Sequence, residues 1–471
     1  MKFDYNIIVL GAGSAGLVVA SAGAGLGAKI ALIENEKMGG DCLNAGCVPS
    51  KTFLKSAHLA KDISSSSTFG IDSTFKEIDL EKIMNRVKSV IKSIEPHDSK
   101  ERYEKLGVDV FFGNGVFVDK NSIEVNGKVL TAKNIVIATG SEAVVPNIKG
   151  LSEVDFLTNR NIFDLKILPK HLIVLGGGPI GLELGQGFRH LGSKVTIIDR
   201  NERLFRKDDP EVAPIMEKVL KNDGVDLLLG FGILEVKKAD KSVVVVIEKD
   251  GIKNEIIGDN ILVSLGRAPV SKGMNLEKIG VKLDKRGSVI TNLKLQTSVK
   301  NIYAAGDITG PYQFTHMASY QAGVVIRNII FRLGTKVNYS VVPWTTYTKP
   351  EVTHVGYTEP WAKSLGLFKE SLIIDLKEND RAKAENDIDG FLKIILDDKA
   401  RIIGASLVGE KAGEMIPIVT LAIKKKLKTS VFLNMIFSYP TEAEIFASAS
   451  LIKVRNSFKS WQKNLIKKLF L

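Results

Sequence analysis

One supersecondary unit occurs twice in this 471-residue chain, and that repeat limits the fold more than any other feature of the sequence. Each copy is a short apolar strand, a glycine turn, a helix and a second strand closed by an acid. In the first copy Asn6 to Leu10 runs into Gly11, Gly13 and Gly16, and Lys29 to Ile33 ends at Glu34. In the second, His171 to Leu175 runs into Gly176, Gly178 and Gly181, and Lys194 to Ile198 ends at Asp199. The interval from first glycine to acid is 23 residues both times, near the roughly 20 of a dinucleotide-binding fingerprint. The glycines allow a tight turn and close approach to a pyrophosphate, the helix N-terminus favours negative charge, and the carboxylate suits ribose hydroxyls. Two copies with one spacing predict an α/β chain with two Rossmann-like dinucleotide-binding domains.

The flanking strands set the order of the domains. Asn134 to Ala138 leads into Thr139 and Gly140, and Ile302 to Ala305 leads into Gly306 and Asp307, on either side of the second copy. The first nucleotide domain is therefore expected over 1–150, interrupted by the second over 151–269 and resumed over 270–340. Alternating strands around Phe391 to Leu396 and Arg401 to Leu407 predict a C-terminal α+β domain over 341–450. A chain of this length exceeds what a single hydrophobic core serves, which agrees with several domains.

The only two cysteines, Cys42 and Cys47, share the segment GGDCLNAGCVPSK, Gly39 to Lys51. Two are too few for a disulfide scaffold, so redox chemistry or metal binding is the expected use. Zinc would need further cysteines or clustered histidines, and the six histidines are scattered, so no metal site is expected. Four residues between the cysteines, in a helical turn, are expected to bring both side chains to one face. The formal net charge is +12. No basic stretch is interleaved with stacking aromatics, so nucleic acid is not an expected partner. The N-terminus reads as a buried strand rather than a signal peptide, and no apolar run is long enough for a membrane span, so the cytoplasm is the expected location.

Taken together, GAGSAG (Gly11 to Gly16), GGDCLNAGCVPSK, ATG (Ala138 to Gly140), GGGPIGLE (Gly176 to Glu183), LGRAP (Leu265 to Pro269) and AAGD (Ala304 to Asp307) resemble the class I pyridine nucleotide disulfide oxidoreductases. That family includes lipoamide dehydrogenase, glutathione reductase and mercuric reductase, and the resemblance runs from residue 3 to about 450. It implies that electrons pass from NAD(P)H through FAD to a Cys42–Cys47 disulfide and on to a small-molecule acceptor. It also implies a homodimer formed through the C-terminal domain. FAD contacts are implied for Gly11, Gly13, Ser14, Ala15, Gly16, Glu34, Gly40, Asp41, Cys42, Lys51, Gly115, Thr139, Gly140, Asp307, Thr315 and His316. Contacts with the nicotinamide nucleotide are implied for Gly176, Gly178, Ile180, Gly181, Asp199 and Gly266. Cys47 would contact the flavin and Cys42 the substrate, with Lys51 and Glu183 as an ion pair near the flavin. Asp199 favours NADH, because a carboxylate repels a 2′-phosphate, although Arg200 and Arg203 could clamp one.

The chain departs from the family at its C-terminal motif. Disulfide-reducing members carry His-Pro-Thr-x-x-Glu, whereas this chain reads Tyr439, Pro440, Thr441, Glu442, Ala443, Glu444. Tyrosine, with an ordinary pKa of about 10, donates a hydrogen bond but is a poor base at neutral pH. Tyr439 and Glu444 are candidate catalytic residues on this alignment. Mercuric reductases also place tyrosine here, so that branch is the nearest resemblance and Hg(II) a candidate acceptor, but no cysteine follows Cys47. Direct reduction of a quinone by the flavin is the alternative activity. Beyond the family pattern, Ser450 to Leu471 holds Lys453, Arg455, Lys459, Lys463, Lys467 and Lys468 and no acid. With Leu451, Val454, Phe458, Trp461, Leu465 and Leu469 it predicts a basic amphipathic helix over 451–471 that frays, packs on its own dimer, or makes peripheral membrane contact. A third reading of the chain is a flavoprotein partner whose redox state tunes such contact.

Overall fold

The computed structural model describes residues 2–74, 77–458 and 460–470. Lys459 and Leu471, both in the expected tail helix, lie outside the described residues. The chain divides into two compact units, one of Met1–Arg200 with Phe231–Asn338, the other of Asn201–Gly230 with Tyr339–Leu471.

The first unit is built on the repeated motif. Its larger sheet is mixed and has seven strands among the described residues, with Tyr5–Leu10 pairing parallel to Ile30–Glu34 on one side and to Lys128–Ile137 on the other. Ile30–Glu34 is buried at every position, the pattern of a parallel strand covered on both faces. Ile302–Ala304 pairs parallel with Lys128–Ile137, so chain beyond the second repeat returns to the first sheet. In the second repeat His171–Leu175 lies between Lys194–Asp199 and Asn260–Val263, again parallel. Helices Ser14–Gly25 and Pro179–His190 follow the two glycine turns. The third glycine of each turn is demanded by packing. A Cβ on Gly16 would lie 1.8 Å from the Gly11 carbonyl oxygen, and one on Gly181 would lie 2.1 Å from that of Gly176.

The second unit holds a five-stranded antiparallel sheet in the order Pro343–Thr346, Glu351–Gly356, Ile402–Gly409, Phe391–Leu396, Glu370–Asp375. Its apolar core gathers Leu392, Ile394 and Leu407 with Phe432 and Phe446, the two rings 5.3 Å apart. Set into this unit is a cluster of buried charge. The Lys393 side chain is 0 % exposed, and its Nζ lies 3.2 Å from Asp209 Oδ1, 2.8 Å from Glu211 Oε1 and 2.8 Å from Glu359 Oε2. Burial opposes its charge, yet the bonds to Glu211 and Glu359 and the Asp209 charge hold its pKa above the ordinary lysine value. Ser406 Oγ donates to Asp209 Oδ2 at 2.7 Å and lies 2.8 Å from His354 Nδ1. Burial pulls the His354 imidazole down to about 4, so it is neutral at neutral pH.

The C-terminal segment is not the continuous helix its spacing suggests. Helix Ile445–Ser457 ends at Phe458, whose backbone is extended (φ −72°, ψ 117°), and a separate helix covers Ser460–Phe470. Among the described residues no helix is long and apolar enough to cross a membrane.

Candidate redox site

The cysteine segment folds differently from its spacing. Cys42 belongs to a short helix, Gly40–Asn44, and Cys47 opens a second one, Cys47–Ser64. The two sulfurs therefore do not share a face of one helical turn. The reason is Gly46, whose φ of −120° and ψ of −110° break the helix between them. The bend still keeps the pair together, because each thiol is the largest single influence on the ionisation of the other. Both are free thiols. Upstream, Gly40 adopts a left-handed φ of +58°, and a Cβ there would lie 2.7 Å from Gly13 Cα. That close approach seats the cysteine segment directly on the first glycine turn.

The two thiols are unequal. Cys47 is lowered to about 6, first by the hydrogen bond from Cys42, then by Thr315 and the Lys51 charge, with burial opposing. Cys42 is pushed up by the same bond and by burial. Of the two, Cys47 is thus the more readily ionised and Cys42 holds its proton more tightly. Thr315 Oγ1 stands 3.3 Å from Cys47 Sγ, so a residue expected among the cofactor contacts also lies against the sulfur. Lys51, one helical turn beyond Cys47, pairs at 2.7 Å with Glu183 on helix Pro179–His190. Glu183 is buried while Lys51 is 36 % exposed.

The two glycine turns fit the dinucleotides that the sequence implies. Helix Ser14–Gly25 starts after Gly13 and helix Pro179–His190 after Gly178; neither has a side-chain cap or an acid in its first turn. Their leading N–H groups, from Ser14, Ala15 and Ile180 among others, can therefore meet phosphate oxygens. The closing acids behave alike. Glu34 Oε2 accepts from Ala12 N at 2.6 Å, and Asp199 Oδ2 accepts from Gly177 N at 2.7 Å, so each carboxylate is tied to its own glycine turn. Those bonds position both acids beside the pyrophosphate cradle, where the ribose hydroxyls would lie.

Three residues escaped the sequence reading. Arg267 Nη2 pairs with Asp41 Oδ2 at 3.0 Å, beside Cys42, while its Nε donates to Ser141 Oγ at 2.8 Å. Ser141 Oγ donates to Asp307 Oδ2 at 2.6 Å, and burial raises the Asp307 pKa. Asn159 Nδ2 donates to Asp41 Oδ1 at 3.0 Å and to the Ala45 carbonyl at 3.1 Å. The helix bearing Cys42 is thus held from two sides. Arg267 sits inside the LGRAP motif and was detectable there, whereas Asn159 and Ser141 carry no local signal.

The remaining candidates are spread over both units. Thr139 Oγ1 donates to the Val270 carbonyl at 2.7 Å, with Gly140 (φ +71°) next to it. Gly266 turns with φ +124° immediately before Arg267. A Cβ on Gly115 would lie 2.7 Å from Leu10 Cδ2, so this glycine is required by apolar packing. His316 follows Thr315 on helix Thr315–Ile330 and stacks on Phe314, ring centroids 5.2 Å apart. In the second unit Tyr439 is 73 % exposed and its hydroxyl donates to Asp380 Oδ2 at 3.3 Å. Glu444 Oε2 accepts from Thr441 N at 3.2 Å, capping the turn before helix Ile445–Ser457.

Comparison with known proteins agrees with this arrangement. The family model described as pyridine nucleotide-disulphide oxidoreductase matches residues 5–322, and its dimerisation domain matches residues 342–450. The mercuric reductase of Bacillus cereus is 36% identical over 94% of this chain and 70% of its own length. The dihydrolipoyl dehydrogenase of Geobacillus stearothermophilus is 34% identical over 95% of this chain and 96% of its own. Among solved structures, the HOCl-induced flavoprotein disulfide reductase RclA from Escherichia coli superposes with a TM-score of 0.84 at 28% identity, covering 95% of this chain and 100% of that one. The dimerisation domain makes a homodimer the assembly for which the second unit is built. The chain belongs to the pyridine nucleotide-disulphide oxidoreductase family, and it is a flavoprotein that passes electrons from NAD(P)H through FAD to a redox-active disulfide.

Proposed function

We propose that Cys42 and Cys47 form this redox-active disulfide and that, once reduced, they deliver two electrons to a soft metal ion such as Hg(II), with NADH as the favoured donor. The observation that carries the reading is the unequal thiol pair next to the Lys51–Glu183 ion pair. When bound, FAD supplies the relay between nicotinamide and disulfide. Cys47, already ionised near neutrality, faces the flavin, and Lys51 favours negative charge there. Cys42 meets the acceptor. Soft thiolates bind soft cations well, and closing the S–S bond releases the two electrons that take Hg(II) to the metal while the proton still on Cys42 leaves to water. This acceptor needs no imidazole base, which suits tyrosine at 439, and the relatives named mercuric reductase support the same choice. Asp199 at the end of its strand supports NADH. We place the homodimer in the cytoplasm, with the nucleotide domains divided at 150, 269 and 340.

Anaerobic reduction of the purified enzyme with NADH or NADPH, followed by Hg(II), lipoamide, oxidised glutathione or a quinone in separate runs, tests the reading. Two-electron reduction should raise a long-wavelength absorbance band that Hg(II) discharges faster than lipoamide does. Cys42→Ser should cut Hg(II)-dependent NADH oxidation by about a thousandfold, as expected when an obligatory nucleophile is lost. Undiminished turnover in Cys42→Ser, with reoxidation by quinone alone, would overturn the proposal in favour of direct flavin reduction of quinones.

A further inference from the structure

The family's dimerisation domain ends at residue 450, and the segment beyond it is chemically unlike the rest of the chain. From Ser450 to Leu471 there are six lysines and arginines and no acid. Helix Ser460–Phe470 carries Trp461, Leu465 and Leu469 at four-residue steps, with Ile466 and Phe470 on the adjoining strip. These positions cover one side of a helix. Every one of the five is exposed, from 44 % at Ile466 to 79 % at Phe470. In the last turn Lys467 lies on the far side of the wheel, and Lys468 borders the apolar strip beside Trp461. Preceding helix Ile445–Ser457 is anchored, its Ser450 hydroxyl bonded to the Thr429 carbonyl. Thr429 directly follows a second run of exposed cations, Lys424, Lys425, Lys426 and Lys428. Of the tail's cations, Lys453 is engaged by Glu370.

We propose that helix Ser460–Phe470 is a membrane-surface anchor that lays its Trp461–Leu465–Leu469 face into an anionic bilayer, with the Lys424–Lys428 run adding attraction from the same unit. Charge decides between this occupant and a second copy of the chain. Each copy carries a net charge of +12, so seating an acid-free cationic tail on another copy gains little Coulomb energy, whereas an anionic surface rewards each cation brought within a Debye length. An apolar strip with one lysine opposite it and one at its edge, from where a long side chain can reach headgroups, suits a helix lying in the interface plane. Eleven residues make about 16 Å of helix, too short to cross a bilayer and marginal alone in water. A surface that buries the apolar face therefore stabilises the helix as it binds. The proposal is independent of which acceptor the redox site reduces.

Sedimentation of the FAD-loaded full-length enzyme with vesicles tests it. Binding to vesicles containing phosphatidylglycerol should exceed binding to phosphatidylcholine alone by at least about tenfold, and should weaken when salt shortens the Debye length to about 3 Å. Deleting residues 459–471 should abolish it without loss of NADH-driven turnover, and the double variant Lys467→Glu, Lys468→Glu should weaken it by about tenfold or more. The emission of Trp461 should shift to the blue on binding, read as the difference from Trp461→Phe. Equal sedimentation of the truncated and full-length enzymes overturns the proposal. So does dissociation of the homodimer on truncation, which would assign the apolar face to the partner subunit.

Discussion

The redox site and the charge cluster of the C-terminal unit both set a lysine against carboxylate, and they differ in what they leave open. Lys51 meets Glu183 while 36 % exposed, and its charge lowers the pKa of Cys47. Lys393 is fully enclosed and meets three carboxylates, with Asp209 also bound by Ser406. In the first region the lysine is open to solvent, which screens a change of protonation or redox state. In the second the same change strands a charge in a low-dielectric interior. Exposure of the lysine thus separates a group placed for chemistry from one placed for architecture, although the residue types are alike.

Lys393→Met should break the architectural region with the largest effect. It leaves Asp209 and Glu359 without their shared cation, and removing one partner of a buried pair typically costs about 3–5 kcal/mol. The urea midpoint of the C-terminal unit should fall accordingly, while the pH midpoint for alkylation of Cys47 stays near about 6. A loss below about 1 kcal/mol, the range of exposed pairs, would erase the distinction drawn between the two regions.

The two regions also differed in how well the sequence announced them. Gly11 to Glu34 and Gly176 to Asp199 were legible because a dinucleotide turn needs particular residues at fixed intervals, and the strands His171–Leu175 and Phe391–Leu396 emerged with the bounds their apolar runs suggested. Cys42 and Cys47 were legible as a pair, but not their geometry, since a helix break at Gly46 depends on backbone torsions that spacing does not encode. The clamp on Asp41 was hidden because its arms come from 118 residues away at Asn159 and from still farther at Arg267. Lys393 was hidden for another reason. It lies in the strand Phe391–Leu396 among apolar neighbours, and a lysine there reads as exposed until Asp209, Glu211 and Glu359 are seen to surround it.

Within the redox site, Lys51→Met sharpens the claim that an open ion pair tunes the thiol. The Lys51 charge lowers the Cys47 pKa and Glu183 raises it, so removing the lysine leaves the carboxylate effect unopposed and moves the pKa up. The thiolate fraction of the reduced enzyme grows as pH rises through about 6, and in the variant this midpoint should move up by up to about one unit. Iodoacetamide should then alkylate Cys47 about tenfold more slowly below the original midpoint, the ratio that one pKa unit represents. A midpoint that does not move would mean that the Cys42 and Thr315 hydrogen bonds alone set the thiolate.

The smallest effect is expected at Arg267, where charge and geometry can be separated. The guanidinium reaches Asp41 and both the hydroxyl and the carbonyl of Ser141 at once, a fork that an ammonium group does not reproduce. Arg267→Lys keeps the charge opposite Asp41 but gives up part of that fork, while Asn159 still ties Asp41 to Ala45. The helix bearing Cys42 should loosen without unfolding, and acceptor-dependent turnover should fall by about threefold, corresponding to well under 1 kcal/mol of barrier. The alkylation rate of Cys42 should rise in parallel, since a looser segment exposes its sulfur more often, and this readout distinguishes positioning from a general loss of stability. If Arg267→Lys alters neither thiol while the thermal midpoint falls, Arg267 belongs with Lys393 on the architectural side of the comparison.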